Sequence, residues 1–177
     1  MKKNNTLKLV YSAVCLALCM VLPFVTGQIP QIGNMLCPMH IPVFLCGILC
    51  GWPWGLGVGL VAPYLRCLLF GMPVLFPKAI AMGFELATYG FLSGLLYAKF
   101  PKKLQYLYLG MIISMLSGRL VWGVVRYILA LSVGEKFTFA MFLSGGFTTA
   151  VPGIIIQLIL IPAIVMALKK ARLVLNE

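Results

Sequence analysis

Two arginines and one glutamate lie in apolar stretches of this sequence, where charged side chains usually have a function. Arg119 and Arg126 belong to the run GRLVWGVVRY, and Glu85 lies in the run MGFELATYG. A guanidinium group in hydrocarbon costs at least about 2.5 kcal/mol, so we expect these groups to face a protein interior or a cavity. The planar donors of arginine suit carboxylate or phosphate groups, and anion binding is the first chemistry to consider.

The spacing of the two arginines places them on one side of a helix. Seven residues separate Arg119 from Arg126, and at about 100° per residue the chain returns to nearly the same face, roughly 10 Å away in depth. Both side chains can therefore line one cavity wall. The alternative is that they pair with Glu85 or with helix-end carbonyl groups and only hold helices together.

The balance of charge favours an anionic ligand. One carboxylate, Glu85, cannot neutralise Arg66, Lys78, Arg119 and Arg126 together. We expect Arg126, Arg66 and Arg119 to hold the anionic group. Other polar side chains would supply hydrogen bonds to hydroxyl or amide groups, and aromatic rings would form apolar walls. The first group comprises His40, Asn34, Glu85 and Gln157, and the second comprises Tyr64, Phe76, Tyr89 and Trp122.

Composition indicates the setting in which these residues act. Of the 177 residues, 62% are hydrophobic and 10% are charged, and the mean hydropathy is +1.06. These values predict an integral membrane protein with one compact membrane domain, residues 1–177, and exclude a disordered chain or a soluble domain. The net charge of +11 does not indicate nucleic-acid binding, because most basic residues lie in short clusters beside apolar runs.

The apolar runs predict an all-α fold with six transmembrane helices, each built from about 20 residues where the run is uninterrupted. Six spans place both termini on one side. Nine basic residues flank the spans on that side, and the opposite loops hold only Lys78 and Lys136, so the termini are predicted to be cytoplasmic. The predicted spans are 7–26, 38–51, 54–70, 78–98, 105–131 and 148–169.

The first span has a second interpretation. Lys2 and Lys3 precede an apolar run, and Val25-Thr26-Gly27 resembles a cleavage site, as in a secretory signal peptide. The apolar run is longer than the usual signal core, which favours a retained helix.

Polar residues gather in the predicted outer halves of the helices, whereas the cytoplasmic halves are apolar. This distribution predicts a cup open to the outside rather than a pore. The apolar loop 71–77 and the uncharged loop 26–35 either cover this cup as lids or lie in the headgroup region. Pro38 and Pro42 shorten the second span, and short helices often hold ligands in membrane proteins.

The cysteines and glycines are more typical of packing than of catalysis. Six cysteines without a CxxC pair, and a single histidine, predict neither a metal site nor a cofactor. Cys37 and Cys67 lie near the outer ends, and the sequence leaves open whether they pair. Gly47, Gly55 and Gly59 would allow the second and third helices to approach closely.

Two other functional classes stay open. A small intramembrane enzyme would need a nucleophile, an acid and a base close together, but Glu85 is the only acidic residue within the predicted spans. A solitary secondary transporter of a small organic anion would need a coupling-ion site or an internal repeat, and neither is evident. The chain has no GxxxxGK[ST] phosphate loop, so energy for uptake would come from elsewhere.

Three features of the sequence together carry a resemblance to a known family: the run MHIPVFLCGILCGWPWGLGVGLVAPYLR, the run FELATYGFLSGLLY and the AxxxA pair Ala13 and Ala17. On these residues the whole chain resembles the S component, the substrate-binding subunit, of an energy-coupling factor (ECF) vitamin transporter. The resemblance implies a cell-membrane subunit of an ABC-type importer that captures a vitamin or related micronutrient from outside. The implied partners are a T component and two ATPases.

The resemblance also implies roles for particular segments. Ala13 and Ala17 would contact the T component, and loops 26–37 and 71–77 would cover the ligand. The sequence is most similar to the branch that includes pantothenate, folate and riboflavin carriers. Pantothenate fits the positive charge, and nicotinate, lipoate or another anionic nutrient would fit about as well.

Overall fold

The computed structural model describes residues 2–25 and 35–176, and most of them are helical. Two short π-helical segments, Leu75–Ala79 and Ser144–Thr148, lead into the fourth and last helices. The described residues include no β-strand, and the predicted all-helical class is confirmed. The helices are α1 Lys2–Val25, α2 His40–Cys50, α3 Trp52–Phe70, α4 Ile80–Lys99, α5 Leu104–Ser132, α6 Phe139–Leu143 and α7 Val151–Lys170.

Within residues 2–25 and 35–176, five helical stretches are long and apolar enough to cross a membrane, and α2 is a shorter apolar helix. Together they give the six helices that the apolar runs predict. The sixth stretch begins earlier than predicted, because α6 and the segment Ser144–Thr148 extend it to Phe139–Lys170. Thr138 caps this start, since its side-chain oxygen accepts a hydrogen bond from the backbone N–H of Met141.

The short helix α2 forms the centre of the bundle. Every residue from His40 to Cys50 is buried, and α1, α3, α4 and α7 all contact this helix. At about 1.5 Å per residue its 11 residues are too few to cross a bilayer. Surrounding protein rather than lipid therefore shields α2, and its first residue, His40, lies within the domain at the outer end.

Glycines allow α2, α3 and α4 to pack with their backbones in contact. A Cβ atom added at Gly47 would lie 2.4 Å from the carbonyl oxygen of Gly90, and one added at Gly55 would lie 2.5 Å from the same oxygen. At Gly59 the added atom would lie 2.3 Å from the carbonyl oxygen of Leu86. Gly47 and Gly55 also touch each other, as predicted, but their closest contacts are with α4, which the sequence did not indicate.

The first helix is part of the folded core. Cys15 and Cys19 of α1 are buried against α2, and the carbonyl oxygen of Met20 accepts a hydrogen bond from Arg66 of α3. These contacts join α1 to the helices that follow it. Ala13 and Ala17 lie on the opposite, exposed side of α1, where another membrane helix could approach closely.

Candidate functional site

A polar cavity of about 260 Å³ lies where the predicted outer ends of α2, α4 and α5 meet the segment before α7. Residues of these three helices line it, together with residues that precede α2, α4 and α7 in the chain. Its position at one end of the bundle agrees with a cup rather than a channel. The lining residues are Cys37, His40, Pro73, Lys78, Met82, Glu85, Arg119, Trp122, Arg126, Gly145 and Thr149.

Glu85 is the centre of a buried polar cluster at this cavity. Its Oε1 atom lies 3.2 Å from a terminal nitrogen of Arg119 and 3.5 Å from Nε2 of His40. The same oxygen accepts a hydrogen bond of 2.9 Å from the hydroxyl group of Tyr89. Glu85 is 3% exposed and Arg119 is 6% exposed, so each charge depends on the other for compensation.

The packing of α4 against α5 explains why these groups meet. Glu85 and Tyr89 are four residues apart and share one face of α4. The Tyr89 ring packs directly on Gly118 of α5, where an added Cβ atom would lie 2.3 Å from the ring. Arg119 follows Gly118 in the chain and is thereby held beside the Glu85 carboxylate.

Arg119 has a hydrogen-bond donor that its ion pair with Glu85 does not use. One terminal nitrogen faces Glu85, and the other lies 3.8 Å from the sulfur of Cys37. Its Nε atom is buried, and no described residue accepts a hydrogen bond from it. The alternative predicted from the sequence, that Arg119 pairs with Glu85, therefore describes part of its environment but not all of it.

Arg126 also has an unsatisfied donor at the cavity and, unlike Arg119, has no carboxylate partner among the described residues. One of its terminal nitrogens is buried without an acceptor among the described residues, and its guanidinium carbon lies 5.6 Å from the centre of the Phe137 ring. The ring contact is favourable to a cation but accepts no hydrogen bond in the plane of the guanidinium group. Arg126 thus has a buried donor that an oxygen of a ligand could use.

The charges lining the cavity do not cancel. Lys78, Arg119 and Arg126 carry three positive charges, Glu85 carries one negative charge, and His40 is counted as neutral. The difference, three minus one, leaves a surplus of two positive charges. The cavity therefore suits an anionic ligand at Arg126 and Lys78, whereas Glu85 and Arg119 form an ion pair with each other.

The structure brings together five of the predicted contact residues and leaves five others away from the cavity lining. His40, Glu85, Arg119, Trp122 and Arg126 line the cavity. Asn34 lies outside the described residues, as does most of loop 26–37. The residues that do not line it are Tyr64, Arg66, Phe76, Tyr89 and Gln157.

Arg66 differs most from its predicted role. Its guanidinium donates a hydrogen bond of 2.7 Å to the carbonyl oxygen of Met20. The guanidinium carbon also lies 5.5 Å from the Phe24 ring centre and 5.2 Å from that of Phe70. Arg66 therefore joins α3 to α1, because its position on α3 faces α1 rather than the cavity.

The other four residues take supporting positions. Tyr64 packs against Gly83 of α4, and Tyr89 lies beneath the cavity, stacked on Phe44 with ring centres 5.0 Å apart. Phe76 is 40% exposed. Gln157 is 1% exposed, and its amide nitrogen has no acceptor among the described residues, so it is buried within the bundle without lining this cavity.

Sequence reasoning missed Cys37, Pro73, Met82, Gly145 and Thr149 as lining residues. Pro73 is the one residue of the predicted lid 71–77 that reaches the cavity lining. Gly145 and Thr149 lie between α6 and α7. Phe142 of α6 packs on Gly123 of α5 and so anchors this part of the chain beside the cavity. The Thr138 cap before an apolar run was the signal that could have revealed this segment.

The cysteines do not form a disulfide among the described residues. Cys37 and Cys67, whose pairing was left open, are not joined by a disulfide. Cys37 lies between α1 and α2, and burial raises the pKa of its thiol, with a smaller opposing effect from the Arg119 charge. No three metal-binding side chains are grouped in the described part of the chain.

Residues 7–165 match the family model for the substrate-specific component of ECF transporters. Neither a curated protein nor a solved structure gives a match. The family match covers most of the chain, including every helix that contributes to the cavity, and agrees with a multi-pass protein of the cell membrane. The chain therefore belongs to the ECF transporter family as a substrate-specific component, the substrate-binding subunit of such a transporter.

Proposed function

We propose that this subunit captures a small anionic micronutrient from the outside, in the cavity between α2, α4, α5 and the segment before α7. The observation that carries this proposal is the buried, unsatisfied donor of Arg126 in a cavity with a surplus of two positive charges. A carboxylate or phosphate of the ligand would accept that donor and lower the electrostatic cost of the cations.

The remaining lining residues suit a short polar molecule with an apolar part. Thr149 and His40 can hydrogen-bond hydroxyl or amide groups, whereas Met82, Trp122 and Pro73 supply apolar contact. The volume of about 260 Å³ lies just below the usual range of about 300 to 1,000 Å³ for ligand pockets. A compact anion is therefore favoured over a large ring system, and pantothenate is the first candidate to test.

We further propose that energy for release comes from a T component and two ATPases. Ala13 and Ala17 are exposed on α1 and lie four residues apart on one face. Such a small-residue pair lets a second helix approach closely in the membrane. Ligand capture and ligand delivery would then use different regions of the chain. The cavity would bind the ligand, and the exposed side of α1 that carries Ala13 and Ala17 would bind the partner.

A thermal-shift screen of the purified full chain against a panel of anionic, neutral and cationic vitamins tests the ligand class. We expect an anionic vitamin to raise the melting temperature, and we expect Arg126→Gln to weaken its binding by roughly 30-fold or more, the equivalent of about 2 kcal/mol for a lost charge-assisted hydrogen bond. Stabilisation by a neutral or cationic vitamin alone would contradict the proposal.

Arg66 provides a matched control for this screen. It is another arginine in the predicted outer half of the bundle, but it contacts Met20, Phe24 and Phe70 instead of the cavity. Arg66→Gln removes the same charge as Arg126→Gln and should change ligand affinity less than threefold. Equal losses in the Arg66 and Arg126 variants would show that general charge, not this cavity, determines binding. Uptake by the chain expressed without an ATPase would instead favour a solitary secondary transporter.

A further inference from the structure

A second cavity, at the opposite end of the bundle, combines lysines with apolar walls. It has a volume of about 470 Å³ and lies between α5 and α7, beside the loop that joins α4 to α5. Lys102, Lys103, Lys169 and Lys170 line it, and none of its lining residues is acidic. By the distribution of basic residues this end is cytoplasmic.

Protein contacts hold two of the lysines in place. The Lys102 ammonium group donates a hydrogen bond to the carbonyl oxygen of Tyr97 and lies 3.8 Å from the centre of that ring. Lys169 donates to the carbonyl oxygen of Lys102 at 3.2 Å. These bonds tie the end of α7 to the loop after α4, and they bring all four ammonium groups to one cavity.

The other two lysines are available for a ligand. No described residue accepts a hydrogen bond from the ammonium group of Lys103 or Lys170, and both lysines line the cavity. Membrane topology requires basic residues on this side of the membrane, but it does not require four lysines at one cavity. Lys8, Lys99 and Arg172 lie on the same predicted side without lining the cavity. Four positive charges gathered in one place repel each other unless an anion lies between them.

The walls of the cavity favour a lipid as the source of that anion. Leu107 of α5 and Val165 and Met166 of α7 line it, and all three belong to the membrane-spanning stretches. Met166 is 53% exposed, so the cavity continues onto a surface that faces hydrocarbon. A soluble phosphate would leave these apolar walls unused, whereas an acyl chain would cover them.

We propose that this lysine cavity binds the headgroup phosphate of an anionic phospholipid of the cytoplasmic leaflet, with an acyl chain between α5 and α7. Lys103 and Lys170 contact the phosphate, and Lys102 and Lys169 contribute charge from fixed positions. Basic pockets between transmembrane helices at this depth are suited to anionic headgroups, and each lysine contributes about fivefold in affinity at a membrane surface. The site is separate from the nutrient cavity and does not depend on its ligand.

Native mass spectrometry of the full chain in neutral detergent, titrated with phosphatidylglycerol, tests this proposal. We expect phosphatidylglycerol to bind at least tenfold more tightly than phosphatidylcholine with the same acyl chains. The double variant K103Q/K170Q should weaken the binding of phosphatidylglycerol by roughly 30-fold, because each lysine contributes about fivefold in affinity. The variant K99Q/R172Q removes the same charge from the same side and should change binding less than threefold.

Two further measurements separate the lipid from other occupants. Met166→Trp should fill the apolar part of the cavity and weaken phosphatidylglycerol without affecting glycerol 3-phosphate. Glycerol 3-phosphate that binds as tightly as phosphatidylglycerol would show a soluble-anion site and overturn the proposal. Equal affinity for the two lipids, or equal loss in both double variants, would also overturn it. So would normal lipid binding by K103Q/K170Q together with lost assembly with the transporter's other subunits, because the lysines would then form a protein contact.

Discussion

The substitution Glu85→Gln tests whether one carboxylate compensates the buried Arg119. The two charged atoms lie 3.2 Å apart, and at an effective dielectric constant of 20 their gross attraction is about 5 kcal/mol. Removal of one partner of a buried pair costs roughly 3 to 5 kcal/mol, because the other charge stays buried. Glutamine keeps an oxygen that can accept the Tyr89 hydroxyl, so we expect the lower value, about 3 kcal/mol.

The melting temperature of the ligand-free chain in detergent is the appropriate measurement. A loss of about 3 kcal/mol should lower it by roughly 6 to 12 °C in a chain of this size. Glu135→Gln is the matched control, since Glu135 is exposed and follows α5 outside the cavity, and its effect should stay within about 0.5 kcal/mol. A Glu85→Gln protein that melts within 1 °C of the native chain would refute the dependence of Arg119 on Glu85.

Three further predictions concern the partner face, the helix packing and the cavity mouth. Ala13→Trp should abolish co-purification with a T component while nutrient affinity changes less than threefold, because Ala13 is exposed and remote from the cavity. Gly90→Ala should lower the free energy of unfolding by about 3 kcal/mol, measured by thermal melting, since the new Cβ atom would lie 2.1 Å from the carbonyl oxygen of Gly55. Lys78→Gln should weaken binding of the anion about fivefold in low-salt titrations and less at high salt. Lys136 does not line the cavity, so Lys136→Gln should have no effect on binding. Equal effects of the two substitutions would contradict the assignment of Lys78 to the ligand cavity.

The helical fold could be predicted from the sequence because the apolar runs are long and the basic residues are unevenly distributed. In hydrocarbon each segment must satisfy its own backbone hydrogen bonds, so an apolar run of sufficient length is a helix whatever its neighbours are. The extra turns before α7 were not predicted, because the glycines in SGGF obscure the helical pattern that begins after Thr138.

The candidate site could be predicted only in part. The seven-residue spacing of Arg119 and Arg126 placed both on one face, and both line the cavity. The surplus of positive charge assigned Arg66 to the ligand as well, yet Arg66 contacts Met20 on α1. Spacing within a helix fixes which residues share a face, but it does not fix which neighbouring helix that face meets.

A six-helix membrane protein with a cationic end follows from the order of the amino acids, because hydrophobicity and charge act on each segment independently of the rest of the chain. Which cations remain available to a ligand depends instead on how the helices pack. Arg119 is paired with Glu85 because Gly118 lets the Tyr89 ring pack closely against α5. Arg126 keeps an unsatisfied buried donor because the residue its guanidinium faces, Phe137, is an aromatic ring. Such pairings depend on how helices distant in sequence pack together, and that packing is a property of the whole fold.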